Sequence, residues 1–540
     1  MTRFRFALLL ALALQPGALF AQLEPTATAA DWWRSGVCYE VFVRSFQDSD
    51  GDGVGDFRGL IERLDYISDL GATCIWLMPI MPSPSYHGYD VTNYFDVNRE
   101  YGTLEDFRAL LDAAHDRGIH VLIDLVLNHT SSEHPYFRDA LLDANSPYRD
   151  WFVWAPEQRP APGWSAPVWH DVPTRDEYYY GLFWGGMPDY DLTEPEVQAE
   201  FERIARFWLD DVGVDGFRID AVAHFFEGPG GAWRHGPGTH AWLREFAAAL
   251  ERIEPDAFTI GEVWDSIGAI LPYYPDQLTA YFMFEMADAV FEAVRSGSAE
   301  RLVSVVQRVQ REVPDGRWGV FLRNHDQTRT LTDLGGDVAR AKLAATLQLT
   351  LPGVPFVYYG EEIGMTGAKS AGDIRLRTPM HWTLEPRVGF TTGTPWEPLP
   401  ADSFTANVAA QDDEATSLLN HYRRLIHART SNRALATGDF VPLETGTPTV
   451  LAYLRRAGDR IALVVANLGE TAVSDVRVAL PAGLPRQGEL APRLLVSGGL
   501  GDSGDVRYAQ DGTHAVVATL APLGAWVIDL GDGLGDDHGV

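Results

Sequence analysis

The feature that most constrains the fold is a regular alternation of helical and apolar segments between residues 37 and 359. Each helix-like segment leads into a short, almost continuously apolar run, which is typical of parallel strands buried on both faces. The predicted helices are 59–70, 104–117, 196–211, 241–253, 302–312 and 338–351. The predicted strands are 37–46, 74–78, 119–127, 214–219, 258–261, 280–284, 318–322 and 356–359. This pattern predicts an α/β protein with a (β/α)8 TIM barrel over residues 31–433.

Two parts of the chain depart from this alternation. Residues 130–186 lack it and are rich in aromatic residues, so we predict an inserted subdomain after the third strand, on the carboxyl-terminal face of the barrel. After residue 434, short alternating runs separated by Gly and Pro predict a C-terminal antiparallel β-sandwich over 434–530. The Gly- and Asp-rich residues 531–540 predict a disordered tail.

Residues 1–22 have the features of a signal peptide. Arg3 and Arg5 precede the apolar run 6–14, and small residues around Ala21 offer a cleavage site. The run is too short to cross a bilayer, so we expect an exported protein, periplasmic or extracellular, with no membrane anchor. The net charge of −32 argues against nucleic acid as a partner, because the negatively charged protein and the phosphate backbone would repel each other.

Cys38 and Cys74 are the two cysteines, and each begins an apolar run. A disulfide in an oxidising compartment is one interpretation. The interpretation that we favour from the sequence is a pair of buried free thiols. Without a His cluster, the two residues predict no zinc site.

An acidic loop follows the first predicted strand. Residues 48–56 read DSDGDGVGD, and carboxylates at every second position can surround a hard cation. The predicted Ca²⁺ ligands are the side chains of Asp48, Asp50, Asp52 and Asp56 and the carbonyl of Val54. The loop is not an EF-hand, because Gly59 occupies position 12, where that motif needs Glu. An acidic, solvated turn is the alternative.

Polar residues stand where the predicted barrel strands end, which is where such barrels keep their chemistry. They are Asp124, Asn128 and His129 for the third strand, Arg218 and Asp220 for the fourth, Glu262 for the fifth, and Asn324, His325 and Asp326 for the seventh. Arg218 and Asp220 point the same way on a strand, and the guanidinium favours an ionised carboxylate. Alone they would predict a structural ion pair. The three carboxylates Asp220, Glu262 and Asp326, with two His and one Arg around the same mouth, predict a catalytic site.

With these motifs the sequence resembles the α-amylase family of glycoside hydrolases, glycoside hydrolase family 13, over about residues 32–530. The matching segments are DLVLNH at 124–129, GFRIDAVAH at 216–224, GEVW at 261–264 and RNHDQ at 323–327, with support from HGYD at 87–90 and GVPFVYYGEEIGM at 353–365. By this resemblance Asp220 is the nucleophile, Glu262 the general acid/base and Asp326 the stabiliser of the transition state. The acidic loop matches the structural Ca²⁺ loop of part of the family.

The chemistry of these residue types agrees with the roles that the resemblance implies. Retention needs an ionised carboxylate and a protonated carboxyl about 5–5.5 Å apart. We expect Arg218 to keep Asp220 ionised, and the neighbouring carboxylates and Trp264 to raise the pKa of Glu262.

The resemblance also implies a set of residues that bind the substrate. His129 and His325 would donate to hydroxyls of one sugar. Asp90 would bind that sugar from the side, and Tyr89 would stack beneath it.

Four positions bear on which member of the family this is. Tyr86 stands where exo-acting α-glucosidases of the family carry Asp, which implies a more open pocket and favours endo-type cleavage. Ala221 follows the nucleophile and favours α-1,4 bonds, whereas Ala223 stands where many α-amylases carry Lys. The segment MPDYDL at 187–192 resembles the MPDLN of a bacterial group between oligo-1,6-glucosidases and neopullulanases, with Asp191 in place of Asn.

The sequence therefore predicts an exported, monomeric, retaining hydrolase of α-1,4 bonds in starch or maltooligosaccharides. A transglycosylase, an α-glucosidase or a trehalose-synthase-like isomerase on the same site is the first alternative. A non-catalytic carbohydrate-binding homologue is the second, and the presence of all three carboxylates argues against it.

Overall fold

The computed structural model describes residues 31–158, 166–226, 234–481, 493–497, 506–508 and 514–532. The signal peptide predicted over 1–22 and residues 533–540 of the predicted tail lie outside the described residues. Within the described ranges, no helix combines the length and the apolar character needed to cross a membrane.

Eight parallel strands close into a barrel, which confirms the predicted fold class. In chain order they are β1 Cys38–Val41, β2 Cys74–Leu77, β3 His120–Leu125, β4 Gly216–Ile219, β5 Phe258–Gly261, β6 Ala280–Phe282, β7 Trp318–Phe321 and β8 Val354–Tyr358. Each strand pairs with the next along the chain, and β1 pairs with β8 to close the sheet. The carboxyl ends of all eight strands therefore meet at one rim.

Helices cover the outside of the barrel. The longer ones are Phe57–Glu62, Leu64–Leu70, Leu104–His115, Pro195–Arg206, Pro237–Ile253, Phe284–Ser296, Glu300–Glu312, Val338–Thr350 and Leu418–Ser431. The predicted helix 59–70 begins earlier, at Phe57, because the Asp56 carboxylate accepts a hydrogen bond from Gly59 N and caps it. It is divided at Arg63. The sixth strand ends at Phe282, two residues before its predicted end, and a helix begins at Phe284.

The insert after β3 forms a small subdomain of its own. It contains the helix Pro135–Leu142 and a three-stranded antiparallel sheet of Trp154–Ala155, Tyr178–Tyr180 and Trp169–Asp171. Trp169 and Tyr180 are buried in its core, and Tyr178 and Phe183 pack against them. An isolated bridge between His129 and Asp189 ties the insert to the end of β3, beside the catalytic rim.

Two antiparallel sheets follow the barrel and share one apolar core, as expected for a β-sandwich. One sheet contains Asp439–Leu443, Val450–Ala457, Arg460–Asn467, Ala525–Asp532 and Arg493–Ser497, and the other contains Val473–Ala479, His514–Leu520 and Val506–Tyr508. The position predicted for its start, 434, falls in the helix Arg433–Thr437, and the last strand reaches Asp532, two residues into the predicted tail.

Cys38 and Cys74 form a disulfide, so the interpretation as two free thiols is wrong. Both are fully buried and each is the first residue of its strand. The register of β1 on β2 places them opposite each other, with their Cα atoms 4.3 Å apart. The sequence predicts both strands but not this register, which brings the two thiols together at the amino-terminal rim.

Candidate active site

Arg218 on β4 joins three carboxylates at the carboxyl-terminal rim. Its Nη1 lies 2.7 Å from an oxygen of Asp124 and 2.7 Å from an oxygen of Asp220, and its Nη2 lies 2.9 Å from Glu262 Oε2. The guanidinium is 1% exposed. The sequence predicts no role for Asp124 in the site. The register of β3 on β4 nevertheless pairs it directly with Arg218. One cation thus holds side chains from three neighbouring strands.

One guanidinium cannot neutralise three carboxylates, and the pKa values show the result. Burial raises the pKa of Glu262 to about 7, and Arg218 only partly opposes this. Burial likewise raises the pKa of Asp124 to about 7. Burial also raises the pKa of Asp220, so the expected effect of Arg218 is present but does not prevail. The site therefore holds at least one proton near neutral pH.

Asp326 shows the opposite shift. Burial would raise the pKa of Asp326, but the positive charges of Arg377 and Lys369 oppose it, and this pKa lies well below its usual range. Arg377 Nη2 lies 2.7 Å from Asp326 Oδ1, and Arg377 Nε donates to the His325 carbonyl at 3.1 Å. Arg377 belongs to the segment that follows β8, where no sequence motif marked it. Asp326 is therefore the carboxylate that stays ionised.

His325 and Tyr89 form a hydrogen-bonded pair behind the carboxylates. His325 Nδ1 lies 2.5 Å from Glu40 Oε1, and Nε2 lies 2.7 Å from the Tyr89 hydroxyl. That hydroxyl also donates to Asp124 at 3.0 Å. Burial lowers the pKa of His325 to about 3, so the ring is neutral. Both ring nitrogens have protein partners, which makes His325 a support for Tyr89 in this structure. Glu40, on β1, was not predicted.

These groups open into a cavity of about 530 Å³. The predicted residues that line it are Tyr89, His129, Asp220, Glu262 and Asp326. Arg218 and His325 lie buried behind them, and Asp90 does not line the cavity but accepts a hydrogen bond from Ser83 at 2.6 Å. His129 Nε2 is buried and has no hydrogen-bond partner among the described residues.

The remaining lining residues are Tyr86 and His87 after β2, Phe183, Trp184 and Met187 from the insert, Ala221, Ala223, His224 and Arg234 after β4, Trp264 after β5, and Lys369, Asp373 and Arg377 after β8. Six of them, Phe183, Trp184, Arg234, Lys369, Asp373 and Arg377, lie outside the motifs and positions that the sequence analysis singled out. Isolated aromatic and basic residues in loops carry no periodic signal, so only the fold reveals that they converge. The cavity is polar at its base and partly aromatic at its mouth.

The acidic loop folds back on itself beside the segment 391–396. Oxygen atoms of Asp48, Asp50 and Asp56 lie within 4.8 Å of one another, which could hold a cation. Asp52 is exposed and outside this group, and its carboxylate accepts a hydrogen bond from Val54 N at 2.7 Å. The structure thus brings together three of the four predicted carboxylates.

Comparisons with known proteins agree with the fold. Residues 40–438 match the model of the alpha amylase catalytic domain. Alpha-amylase 3 of Dictyoglomus thermophilum is 41% identical over 445 residues, 81% of this chain and 85% of the relative. The trehalose synthase/amylase TreS of Mycolicibacterium smegmatis is 35% identical over 490 residues, 81% of this chain and 82% of the relative.

The structure of an alpha-amylase from H. orenii superposes with a TM-score of 0.81 at 39% identity, over 92% of this chain and 99% of the other. The family match spans the barrel and all the carboxylates around Arg218. The chain belongs to the alpha-amylase family and is a glycoside hydrolase that acts on glycosidic bonds.

Proposed function

We propose that this enzyme hydrolyses α-1,4 bonds of starch or maltooligosaccharides with retention of configuration. The observation that carries the proposal is Glu262, a cavity-lining carboxyl with a pKa of about 7, joined to Asp220 through Arg218. Retaining glycosidases use such a pair, with the two carboxyl groups about 5–5.5 Å apart. The relative that shares 41% identity is an alpha-amylase, which supports this substrate class.

Glu262 is the general acid in this proposal. Two carboxyls near Arg218 have a pKa of about 7, but Asp124 is fully buried whereas Glu262 lines the cavity. Only Glu262 can therefore reach a leaving oxygen. It would protonate that oxygen in the first step and activate water in the second.

Asp220 is the nucleophile and Asp326 the stabiliser. Asp220 lines the cavity and receives a hydrogen bond from Arg218 on Oδ1. When an oxygen of Asp220 bonds to the anomeric carbon, the glycosidic bond breaks, the leaving oxygen takes the proton of Glu262, and the negative charge ends on Glu262. Water, deprotonated by Glu262, later displaces Asp220 as a carboxylate. Asp326, ionised beside Arg377, would stabilise the positive charge of the oxocarbenium-like transition state.

We propose that the acidic loop binds a structural Ca²⁺. Asp48, Asp50 and Asp56 offer clustered hard oxygen ligands, which Ca²⁺ prefers. Asp48 and Asp56 are buried and accept backbone hydrogen bonds inside the loop, so the loop is already shaped around them. No catalytic residue belongs to the loop, and the ion would act on stability.

Transfer to a sugar is the second candidate activity. A trehalose synthase/amylase and a trehalose synthase each match 81% of this chain at 35% identity. If a sugar hydroxyl instead of water attacked the glycosyl-enzyme intermediate in the second step, the product would be a new glycoside. We also propose that the protein is exported and monomeric. The disulfide between Cys38 and Cys74 supports export, because it would persist in an oxidising compartment.

The deciding experiment is a product time course on maltoheptaose and on maltose. We expect shorter maltooligosaccharides, released first as the α-anomer. Formation of trehalose, or of chains longer than the substrate, would show that the main reaction is transfer to a sugar and would contradict the proposed hydrolysis. Release of the β-anomer would refute retention of configuration. Full activity of Asp220→Asn would refute the assignment of Asp220 as the nucleophile.

A further inference from the structure

Arg234 and His235, which follow the nucleophile strand in sequence, lie beside Ala223. His235 N donates to the Ala223 carbonyl at 2.7 Å, and His235 has a left-handed backbone with φ 55°. This contact places Arg234 at the wall, where it lines the cavity together with Ala223. Ala223 has no polar side-chain atom, so the guanidinium of Arg234 supplies the hydrogen-bond donors of this part of the wall.

The segment after β5 fixes the position of Arg234. Arg234 Nη1 lies 3.1 Å from Asp265 Oδ2, and Nη2 donates to the Trp264 carbonyl at 2.6 Å. His235 Nε2 lies 3.3 Å from the same Asp265 oxygen, and its Nδ1 lies 2.9 Å from the Tyr273 hydroxyl. A guanidinium held by these partners loses little further freedom when a ligand binds, so its donors are preorganised.

Trp264 adds an aromatic surface to the same wall. Its ring stacks on Phe284, with centroids 4.9 Å apart and planes 11° from parallel. The residue lines the cavity and is still 48% exposed. A large apolar ring that is fixed on one side and open on the other is typical of a binding surface. The C–H face of a pyranose is a suitable partner for it.

This wall lies on the leaving-group side of the catalytic pair. Trp264 follows Glu262 by two residues, and Glu262 Oε2 accepts a hydrogen bond from Ala221 N at 3.3 Å. Asp326 and Tyr86 line other parts of the cavity, on loops after β7 and β2. A general acid stands against the leaving oxygen. The sugar that leaves from Glu262 therefore departs along the wall of Trp264.

We propose that Arg234 and Trp264 together bind the sugar on the leaving-group side, with Asp265 as the positioning residue. Arg234 donates to hydroxyls of that sugar while Trp264 stacks on its ring. The same two side chains hold an acceptor sugar when the intermediate is transferred to a sugar. This inference rests on the proposed glucan hydrolysis and specifies its leaving-group subsite.

The test compares two substrates that share the donor sugars and differ in the leaving group. Maltotetraose leaves a sugar on the wall, whereas α-maltosyl fluoride leaves only fluoride. Loss of a charged hydrogen bond corresponds to about tenfold or more in binding. We expect Arg234→Ala and Trp264→Ala each to lose about ten times more kcat/KM on maltotetraose than on the fluoride. Trp264→Phe should recover most of the loss, because it keeps a stacking ring.

Asp265→Asn should reproduce part of the Arg234→Ala loss. Arg234→Ala, Trp264→Ala and Asp265→Asn should each lower the ratio of transfer to hydrolysis at high maltose. The matched control is Arg244→Ala, an exposed arginine paired with Asp276 at 2.9 Å on the barrel surface, which should match wild type on both substrates. Equal losses on the two substrates, or no loss, overturn the inference. Wild type without activity on either substrate would instead refute the proposed function.

Discussion

Arg377 Nη2 and Asp326 Oδ1 lie 2.7 Å apart, and this ion pair joins the loop after β8 to the loop after β7 at the floor of the cavity. Arg377 is 4% exposed, so solvent screens the pair little. The contact explains why Asp326 stays ionised among several other carboxylates. It also means that a residue outside every motif governs the charge of a motif residue.

Replacing Arg377 should steepen the acid limb of the pH–activity profile and move it to higher pH, because Asp326 would then titrate there in addition to the nucleophile Asp220. In wild type the pKa of Asp326 is held below its usual range, so Asp326 loses its charge only in strong acid. Arg377→Ala removes a cause of that depression, and protonation then begins at higher pH. The measurement is kcat/KM on maltotetraose from pH 3 to 8. Arg375→Ala, which loses a pair with Glu397, is the control and should keep the wild-type limb. A lower rate with an unmoved limb in Arg377→Ala would contradict the role.

Glu262→Gln should remove the basic limb of the same profile. The folded pKa of Glu262 is raised to about 7, so the proton needed for acid catalysis is present below that pH and is lost as the pH rises through it. Loss of a general acid costs about 10²–10⁴ in rate. We expect this loss on maltotetraose and a much smaller one on α-maltosyl fluoride, whose leaving group needs less protonation.

Glu361→Gln is a matched control for that experiment. Burial raises the pKa of Glu361 to about 7 as well, but Glu361 is bonded to Thr330 and Tyr422 and does not line the cavity. Its variant should keep the basic limb, even where stability falls. Loss of the limb in both variants would show that it does not report Glu262.

A chelator should lower the melting temperature if the acidic loop binds Ca²⁺, because a ligand of the folded state stabilises it by mass action. Asp50→Asn should abolish most of this shift, since Asp50 belongs to the oxygen cluster and is exposed. Asp52→Asn in the same loop should keep the shift, since Asp52 lies outside the cluster. Differential scanning calorimetry with EDTA and with added Ca²⁺ measures both. Equal shifts in the two variants would contradict the three-carboxylate site.

Asp215 should contribute to acid stability at the opposite rim. Burial would raise the pKa of Asp215, but hydrogen bonds to His115 and His120, at 2.8 and 2.9 Å, lower it to about 2. Its unfolded pKa is about 3.9, so the stabilisation is complete above about pH 4 and is lost as the pH falls through the folded value. Asp215→Asn should therefore lower the free energy of unfolding by roughly 2–3 kcal/mol at pH 7.

Urea unfolding at pH 7 and at pH 3 tests this contribution. The difference between wild type and Asp215→Asn should shrink at the lower pH, because wild type is by then losing the same interaction. Asp210→Asn, an exposed carboxylate 3.7 Å from Arg206, should stay close to wild type at both pH values. A constant difference would assign the effect to packing.

The motif residues could be predicted because each ends a strand whose apolar pattern is easy to recognise. Asp220, Glu262 and Asp326 follow β4, β5 and β7, and parallel strands bring their carboxyl ends to one rim. Arg234, Trp264 and Arg377 were not assigned to substrate because loops have no period to read. Their positions depend on contacts across the chain, such as that of His235 with Ala223.

The pKa values were predicted in part. Glu262 has the raised pKa that its neighbours implied. Arg218 was expected to hold Asp220 alone, but the register of β3 on β4 adds Asp124, and Glu262 takes the other nitrogen. Sharing one cation among three carboxylates weakens its effect on each, and burial then prevails at Asp220. Burial and cross-strand partners become visible only in the folded chain.

The disulfide between Cys38 and Cys74 makes the production host part of the chemistry of this protein. Synthesis in a reducing cytoplasm would give the same sequence with two adjacent thiols beneath the barrel, whereas secretion would give the cross-linked form. The two products would differ by two hydrogen atoms and should differ in their resistance to urea. A purified batch is therefore defined by its thiol content as well as by its sequence, and a thiol titration in denaturant would distinguish the two forms.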